Sequence, residues 1–202
     1  PIARLNDPAH VASHGPRGDD ALPYAPALPL FGNFLAGAVN ASGVSLTNTL
    51  TAGRLYAHPF RVPTLTTTAR LEIDVRTAAA GSTVALAIAA NAGKKPGARL
   101  GSALSVSGAA IAVVGNTYVQ TLYPDVWYWA LLLALGGAPV LAGLSAGGME
   151  AALIGGASNA SFTRPIGLML DGETAIDADY SAESGWADNT AGMAATFRVV
   201  VS

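Results

Sequence analysis

Ser145 is the side chain of this sequence whose surroundings most resemble a catalytic motif. It lies in Gly-Leu-Ser-Ala-Gly (143–147), which matches the G-x-S-x-G pattern of serine hydrolases. In α/β-hydrolases the histidine base follows the serine in the chain. His10, His14 and His58 are the only histidines, and all three precede Ser145. The motif therefore predicts a glycine-rich turn, and we expect that the chain is not an enzyme.

His10 and His14 form a candidate metal site. They are four residues apart, so one helical turn would place both on the same side, a spacing that can hold a metal ion. Asp7, Asp19 and Asp20 add carboxylate oxygens nearby. The alternative is a pair of histidines that are solvated or packed against a partner. No cofactor is expected.

An acidic cluster in the last third of the chain offers a second kind of chemistry. Carboxylates, an amide and aromatic rings on loops can bind sugar hydroxyls and stack on sugar rings. The alternatives are a calcium site without the EF-hand order of ligands, a glycosidase carboxylate pair, and a solvated loop that keeps an apolar protein soluble. The candidate glycan-binding residues are Asp177, Asp179, Tyr180, Trp186 and Asn189.

The composition excludes several functional classes. Hydrophobic residues make up 51% of the 202 residues and charged residues 12%, the reverse of an intrinsically disordered chain. A net charge of −2 provides no basic surface, so no nucleic-acid partner is expected. Because cysteine is absent, the chain has no disulfide scaffold and no thiolate metal site.

Residues 126–149 carry no charge and imitate a membrane span. A spanning helix needs about 20 apolar residues with few breaks. Here Gly-Gly-Ala-Pro (136–139) interrupts the stretch, and Asp125 and Glu150 flank it where Lys or Arg is typical. We therefore predict two strands joined by a turn, and no membrane insertion.

Short strands separated by turn residues predict an all-β fold. Leu71, Ile73 and Val75 alternate with charged residues, which is typical of a strand with one buried face. No long helical period interrupts the strands, so the pattern favours an antiparallel β-sandwich of jelly-roll type. Strands are predicted at 54–62, 70–76, 83–89, 117–122, 126–133 and 195–201, and a short helix at 149–154.

Two of these predicted strands carry unusual residues. Alanine occupies the outward positions of 83–89, so we expect that surface to be covered by copies of the chain or by neighbouring proteins. In 126–133, alternation places Trp127 and Trp129 on one face and Tyr128 on the other. Core packing is the default for such a strand, and a binding platform would require the tryptophan face to be exposed.

The first 36 residues predict an extended, proline-rich docking arm, followed by a β-sandwich domain over 37–202. Proline-rich sequence is extended or polyproline-like and does not build a core. Such a segment is better suited to lie on the surface of another protein. The arm residues expected to dock are Pro8, Pro23, Tyr24, Pro26 and Pro29.

The sequence Leu-Thr-Ala-Gly-Arg-Leu-Tyr-Ala-His-Pro-Phe-Arg-Val-Pro (50–63) resembles the opening of a domain common in phage tail-fibre and other virion surface proteins. That opening has the pattern l-t-a-n-r-l-Y-a-x-P-f-x-v-p. The family's later l-x-p-g-x-Y-W-x-A-l strand resembles 122–131, with Asp125 and Val126 in place of the glycine before the aromatic pair. The features between follow in the family's order: an alternating strand (70–75), an Ala-Ala-Gly-Ser turn (79–82), a strand (84–88) and a glycine-rich loop (91–97).

The resemblance implies a structural virion protein of a phage or phage-like particle, on the particle surface as a head or tail spike or fibre. It implies attachment to a host surface polysaccharide, contact with other virion proteins through the arm, and a homo-oligomer, with a trimer as the first expectation. No catalytic residues carry over. The alternatives are an architectural decoration or connector protein without receptor binding, and a polysaccharide-degrading spike that uses a carboxylate pair.

Overall fold

The computed structural model describes residues 33–36, 46–62, 64–145, 167–189, 193–195 and 197–201. The described residues all belong to one compact unit, residues 31–202. They form fourteen strands: β1 (Asn33–Ala36), β2 (Leu46–Thr49), β3 (Arg54–Phe60), β4 (Thr66–Thr77), β5 (Thr83–Asn91), β6 (Pro96–Ser107), β7 (Val113–Thr117), β8 (Thr121–Leu122), β9 (Tyr128–Leu135), β10 (Val140–Ser145), β11 (Leu168–Asp171), β12 (Ala187–Asp188), β13 (Met193–Ala195) and β14 (Phe197–Val201).

The strands form two antiparallel sheets. The first sheet has the order β1-β14-β4-β10-β13, with β2 also paired to β10 and with β7 and β8 paired to β4. The second sheet has the order β12-β11-β3-β9-β5-β6. The sheets face each other as a sandwich, which confirms the prediction of an antiparallel all-β sandwich. β1 lies inside the segment predicted as the arm, and it pairs with β14.

The core between the two sheets comes from alternate residues of the central strands. β4 contributes Leu71, Ile73 and Val75, as the alternation predicts, and β5 contributes Val84, Leu86 and Ile88. Tyr56, Phe60, Tyr128 and Leu132 add bulk from β3 and β9. On the opposite face of β4, charged side chains pair with each other: Arg70 with Glu72 at 3.2 Å and Arg76 with Asp74 at 2.6 Å.

The outer face of the second sheet is also buried. A second apolar cluster contains Ala57 of β3, Leu131 of β9 and Ala87 of β5, and it includes Ile176 and Tyr180 from the connection between β11 and β12. We call residues 172–186 of this connection the strap. Since β9 is buried on both faces, its sequence is an almost continuous apolar run rather than an alternating one.

The strap corrects one expectation. Ala85, Ala87 and Ala89 were expected to face other copies of the chain or neighbouring proteins, but they lie buried in the cluster that includes strap residues. Alanine suits these positions because a small side chain lets a crossing segment approach the sheet closely. The cover therefore comes from the same chain.

The sequence Gly136-Gly137-Ala138-Pro139 separates two strands, as predicted. Gly136 has φ +69°, and a Cβ there would lie 2.7 Å from the carbonyl oxygen of Gly81, so the position requires glycine. The connection carries the chain from β9 in the second sheet to β10 in the first. Within the described ranges, no helix is long and apolar enough to cross a membrane.

The prediction of a turn at the G-x-S-x-G motif is wrong for residues 143–145. Gly143, Leu144 and Ser145 belong to β10 and pair with Ala195, Ala194 and Met193 of β13. Small residues are compatible with extended backbone that is paired on both sides, and glycine content alone does not separate a turn from such a strand. The remainder of the motif and the helix predicted at 149–154 lie outside the described residues.

The strand predicted at 117–122 is divided in the structure. Thr117 ends β7 and Thr121 begins β8, and the regular ladder with β4 is interrupted at the three residues between them. There the Oγ1 of Thr68 donates to the carbonyl of Tyr118 at 2.5 Å and accepts from the backbone N–H of Gln120 at 2.9 Å. This side chain of β4 adds to the backbone bonds that remain there, from the N–H of Thr68 to the carbonyl of Gln120 at 2.9 Å and from the N–H of Tyr118 to the carbonyl of Ala69 at 2.8 Å.

Candidate functional site

The predicted glycan-binding residues all belong to the strap or follow it directly. The strap leaves β11 beside β3, reaches β6 at the far edge of the second sheet, and returns to β12. At β6, Asp179 forms a single antiparallel bridge with Ala98, and the backbone N–H of Arg99 donates to the carbonyl of Ala178 at 2.8 Å. Because β3, β9 and β5 lie between these contacts, the strap crosses the outer face of the sheet.

Two cations hold the strap by its backbone carbonyls. The Nη1 of Arg99 donates to the carbonyl of Ile176 at 2.5 Å, and the Nζ of Lys95 donates to the carbonyl of Glu183 at 2.6 Å. At the start of the strap, the backbone N–H of Glu173 donates to the carbonyl of Gly53 at 2.9 Å. Charge-assisted bonds of this kind are stronger than neutral ones, so the path of the strap is well determined.

Tyr180 is the centre of the strap. Its ring is buried and meets Trp186 edge to face, with 5.6 Å between the centroids. Its hydroxyl accepts from the backbone N–H of Asp177 at 2.8 Å and lies 3.3 Å from Oε2 of Glu173. Burial raises the pKa of the Tyr180 hydroxyl far above its ordinary value, and burial also raises the pKa of the Glu173 carboxyl.

The structure thus divides the five predicted residues into two groups. Tyr180 and Asn189 are buried, and Trp186 is half-buried, so the rings of this set support the strap instead of forming an open platform. Asp177 and Asp179 are exposed. Both carboxylate oxygens of Asp179 already accept bonds from Ser181, at 2.8 Å and 3.0 Å. In the described ranges, no group of three or more His, Asp or Glu side chains is placed to hold a metal ion.

An exposed aromatic surface lies instead at one end of the sandwich. The strand register determines which residues lie there. Phe60 of β3 pairs with Tyr128 of β9, and Thr66 of β4 pairs with Leu122 of β8. The residues just beyond these pairs therefore meet at one end. We call this surface the aromatic end; it consists of Arg61, Leu65, Tyr123, Val126 and Trp127.

The exposed fractions of the aromatic end are unusual for this protein. Tyr123 is 59% exposed and Trp127 40%, beside Leu65 at 63% and Val126 at 42%. Every other Tyr, Trp and Phe whose side chain the structure describes is buried or half-buried. Of the two tryptophans expected to share a face, only Trp127 is exposed, whereas Trp129 is buried and its Nε1 donates to Oδ1 of Asn91 at 2.9 Å.

The loop that carries both exposed rings is held by specific backbone geometry. The backbone N–H of Tyr123 donates to the hydroxyl of Tyr128 at 2.8 Å, which ties the start of the loop to the first residue of β9. Asp125 between the two rings has φ +60°, a conformation that side-chain-bearing residues adopt infrequently. The guanidinium of Arg61 lies over the Trp127 ring, 4.8 Å from its centroid. The loop therefore presents two rings and a carboxylate, and the residue that follows β3 adds a guanidinium over one of the rings.

Sequence reasoning missed this surface as a site. The signal available was Tyr-Pro-Asp-Val-Trp (123–127), in which a turn separates two aromatic residues. Periodicity assigned Trp127 to a strand, but β9 begins one residue later. The candidate metal residues His10 and His14 and the arm residues Pro8, Pro23, Tyr24, Pro26 and Pro29 lie outside the described residues.

No protein-family model matches the sequence, and no curated protein matches it either.

Proposed function

We propose that this chain is a structural protein on the surface of a phage or phage-like particle, a head or tail spike or fibre, and that its jelly-roll-type sandwich attaches to a host surface glycan. The observation that carries the proposal is the aromatic end, where Tyr123 and Trp127 are exposed, whereas the other described aromatic rings are buried or half-buried. The order of motifs from Leu50 to Leu131, which resembles virion surface domains, supports the particle assignment.

The chemistry of the aromatic end suits a sugar. Exposed rings can pack on the apolar face of a pyranose, and a few convergent polar groups then fix its orientation. Asp125, on the loop between the two exposed rings, provides hydrogen-bond acceptors, and Arg61 of the aromatic end provides donors. Rings on a loop that is tied to β9 lose little conformational freedom on binding, which favours affinity.

In this proposal, attachment depends on many weak contacts. One open aromatic surface of this kind gives modest affinity, and copies presented together in a homo-oligomer, with a trimer as the first expectation, raise the overall affinity through avidity. The N-terminal arm would dock the protein to other virion proteins, through Pro8, Tyr24 and the neighbouring prolines. Localisation on the particle surface follows from both roles.

The experiment measures binding of the purified full chain to an array of bacterial surface polysaccharides, with Trp127→Ala and Tyr123→Ala beside the unchanged protein. We expect each variant to lose at least about tenfold in affinity, or about 1.4 kcal/mol. Ile111→Ala is the matched control, because Ile111 is 70% exposed but lies near Asp74 of β4. Asp74 is eight residues along the strand from Thr66, or about 26 Å.

The second candidate is an architectural decoration or connector protein. Exposed Trp, Tyr and Arg are also the residue types that dominate protein–protein contacts, so the aromatic end could bind another virion protein instead. This role would replace glycan attachment if two results are found together. No glycan binds the protein, and Trp127→Ala abolishes incorporation of the protein into particles. Equal glycan binding by Trp127→Ala, Tyr123→Ala and the unchanged protein would remove the aromatic end as the attachment site.

A further inference from the structure

Arg61 differs from the other arginines whose side chains the structure describes. Arg54 pairs with Asp171, Arg70 with Glu72, and Arg76 with Asp74. Arg99 donates to the carbonyls of Ile176 and Gly101. Among these five described side chains, Arg61 alone has no oxygen acceptor, and its contact is the ring of Trp127.

The position of Arg61 follows from strand register. Phe60, the last residue of β3, pairs with Tyr128, the first residue of β9, so the residue that follows β3 and the residue that precedes β9 come close together; these are Arg61 and Trp127. A guanidinium that lies over an indole ring is held in place by the ring, while its N–H donors, which lie in the plane of the guanidinium, remain available. The five donors of Arg61 are therefore positioned at the edge of the aromatic end without an oxygen acceptor among the residues that the structure describes.

We propose that the aromatic end selects glycans that carry a carboxylate, such as uronic acid or sialic acid units, and that Arg61 is the residue that determines this selectivity. The inference rests on the proposed function and names the ligand class of the same surface. A sugar carboxylate accepts two parallel bonds from the guanidinium fork, while the sugar ring packs against the exposed aromatic residues. A neutral sugar would leave the guanidinium without that partner.

Charge on the same loop argues against the other anionic surface that could bind here, a phospholipid bilayer. Asp125 lies between Tyr123 and Trp127, and it is exposed. A bilayer presents a dense plane of phosphates, which would bring this carboxylate against like charge. A single saccharide can place its own carboxylate on Arg61 and donate its hydroxyls to Asp125.

The test compares two carboxylate-bearing polymers, polygalacturonate and hyaluronan, with the same polymers after chemical reduction of their carboxyl groups. Binding of the full chain is measured by calorimetry. We expect the unchanged protein to bind at least one native polymer at least tenfold more tightly than its reduced form. Arg61→Gln should lower affinity for the native polymer at least about tenfold and so abolish this preference, and Arg61→Lys should retain only part of it because an ammonium lacks the planar fork.

Arg70→Gln is the matched control, since it removes one positive charge from an exposed side chain on β4 without touching the aromatic end. It should keep the preference. Near-UV circular dichroism and a thermal melt establish that each variant is folded. A further control mixes the protein with vesicles of phosphatidylglycerol.

The outcomes separate this inference from the proposed function. Equal affinity for native and reduced polymers, a preference that survives Arg61→Gln, or binding to neutral glycans alone would overturn carboxylate selectivity and leave glycan attachment in place. Arg61-dependent binding to the vesicles without binding to either native polymer would also overturn it. If no glycan of any kind binds, both proposals fail.

Discussion

At the scale of single residues, the strap holds a carboxylate in an unfavourable setting. Burial is the main cause that raises the pKa of Glu173, and the nearby carboxylates Asp177 and Glu183 act in the same direction. The Tyr180 hydroxyl, 3.3 Å from Oε2 of Glu173, opposes the shift. Glu173 therefore binds a proton more readily in the folded protein than in the unfolded chain.

Glu173→Gln should stabilise the protein at neutral pH. A raised pKa in the folded state means that stability falls as pH rises from the ordinary glutamate value, 4.5, through the raised value, and that the full penalty persists above it. Glutamine keeps an acceptor near Tyr180 without the charge. Urea unfolding at pH 7 should show the variant to be more stable than the unchanged protein, and the difference should disappear below about pH 4.

Asp171→Asn should show the opposite sign. The hydrogen bond from Arg54, 2.5 Å between Nε and Oδ1, is the main cause that lowers the pKa of Asp171. Such a group contributes stability above its ordinary pKa, 3.8, and loses the contribution as pH falls through the lowered value. The variant should therefore be less stable than the unchanged protein at pH 7 and equal to it in strong acid. If Glu173→Gln and Asp171→Asn shift the free energy of unfolding in the same direction at pH 7, the opposite pKa shifts assigned to these two carboxyl groups are contradicted.

At the scale of elements, the strap acts as a third layer over the second sheet. Ile176 and Tyr180 are its buried side chains, and both lie in the apolar cluster on the outer face of β3, β5 and β9. Its anchors at Arg99 and Lys95 bond to backbone carbonyls, so they fix the path of the strap independently of its side chains. Apolar burial then supplies most of its stabilisation.

Ile176→Ala should destabilise the protein by about 2–4 kcal/mol, because it removes a buried side chain and leaves a cavity between the strap and the sheet. Val119→Ala is the control: Val119 is 62% exposed, and its truncation should change the free energy of unfolding by less than about 0.5 kcal/mol. Denaturant unfolding measures both. A change below 1 kcal/mol for Ile176→Ala would mean that the strap is not packed on the sheet as described.

The turn between β9 and β10 gives a second test of an element. Gly136 and Gly93 both have positive φ, +69° and +61°, but only a Cβ at Gly136 would meet a backbone atom, the carbonyl oxygen of Gly81 at 2.7 Å. Gly93→Ala should cost about 1 kcal/mol from backbone strain alone. Gly136→Ala should cost clearly more, because the carbonyl must also move. Equal losses of stability, measured by thermal unfolding, would contradict the close approach.

Sequence alone predicts the elements that have one buried face. Leu71, Ile73 and Val75 alternate with charged residues because β4 faces the core on one side and solvent on the other. β6 was missed, because Gly101, Ser102 and Ser105 break its apolar pattern on an edge of the sheet. Tyr180 was expected on an exposed loop, since periodicity does not show that the chain crosses a sheet far away in sequence.

The aromatic end was missed for the same reason: it depends on contacts between residues that are far apart in sequence. Arg61 and Trp127 are 66 positions apart in sequence, and only the register between β3 and β9 brings them together. The exposure of Trp127 depends on β9 starting at Tyr128 rather than two residues earlier. Element boundaries are the least certain part of any sequence-based prediction, and here a shift of two residues separates a core tryptophan from a surface one.

At the scale of the whole molecule, the composition has a different explanation from the one expected. A chain that is 51% hydrophobic with few large side chains suggested surfaces buried between copies. Within one chain, the structure accounts for Ala57 of β3 and for Ala85, Ala87 and Ala89 of β5, because the strap lies over the outer face of the second sheet. Assembly into an oligomer, if it occurs as proposed, then depends on surfaces other than the alanine face of β5.

Ala87→Leu tests which partner covers that face. Ala87 is fully buried, so a larger side chain should push the strap away and cost about 1–3 kcal/mol. If the cover belongs to the same chain, the loss in melting temperature should be the same at every protein concentration, and the mass measured by light scattering should not change. A cover supplied by another copy would make the loss depend on concentration and would shift the oligomer towards monomer. Ala110→Leu, on an exposed loop, is the matched control and should change neither quantity.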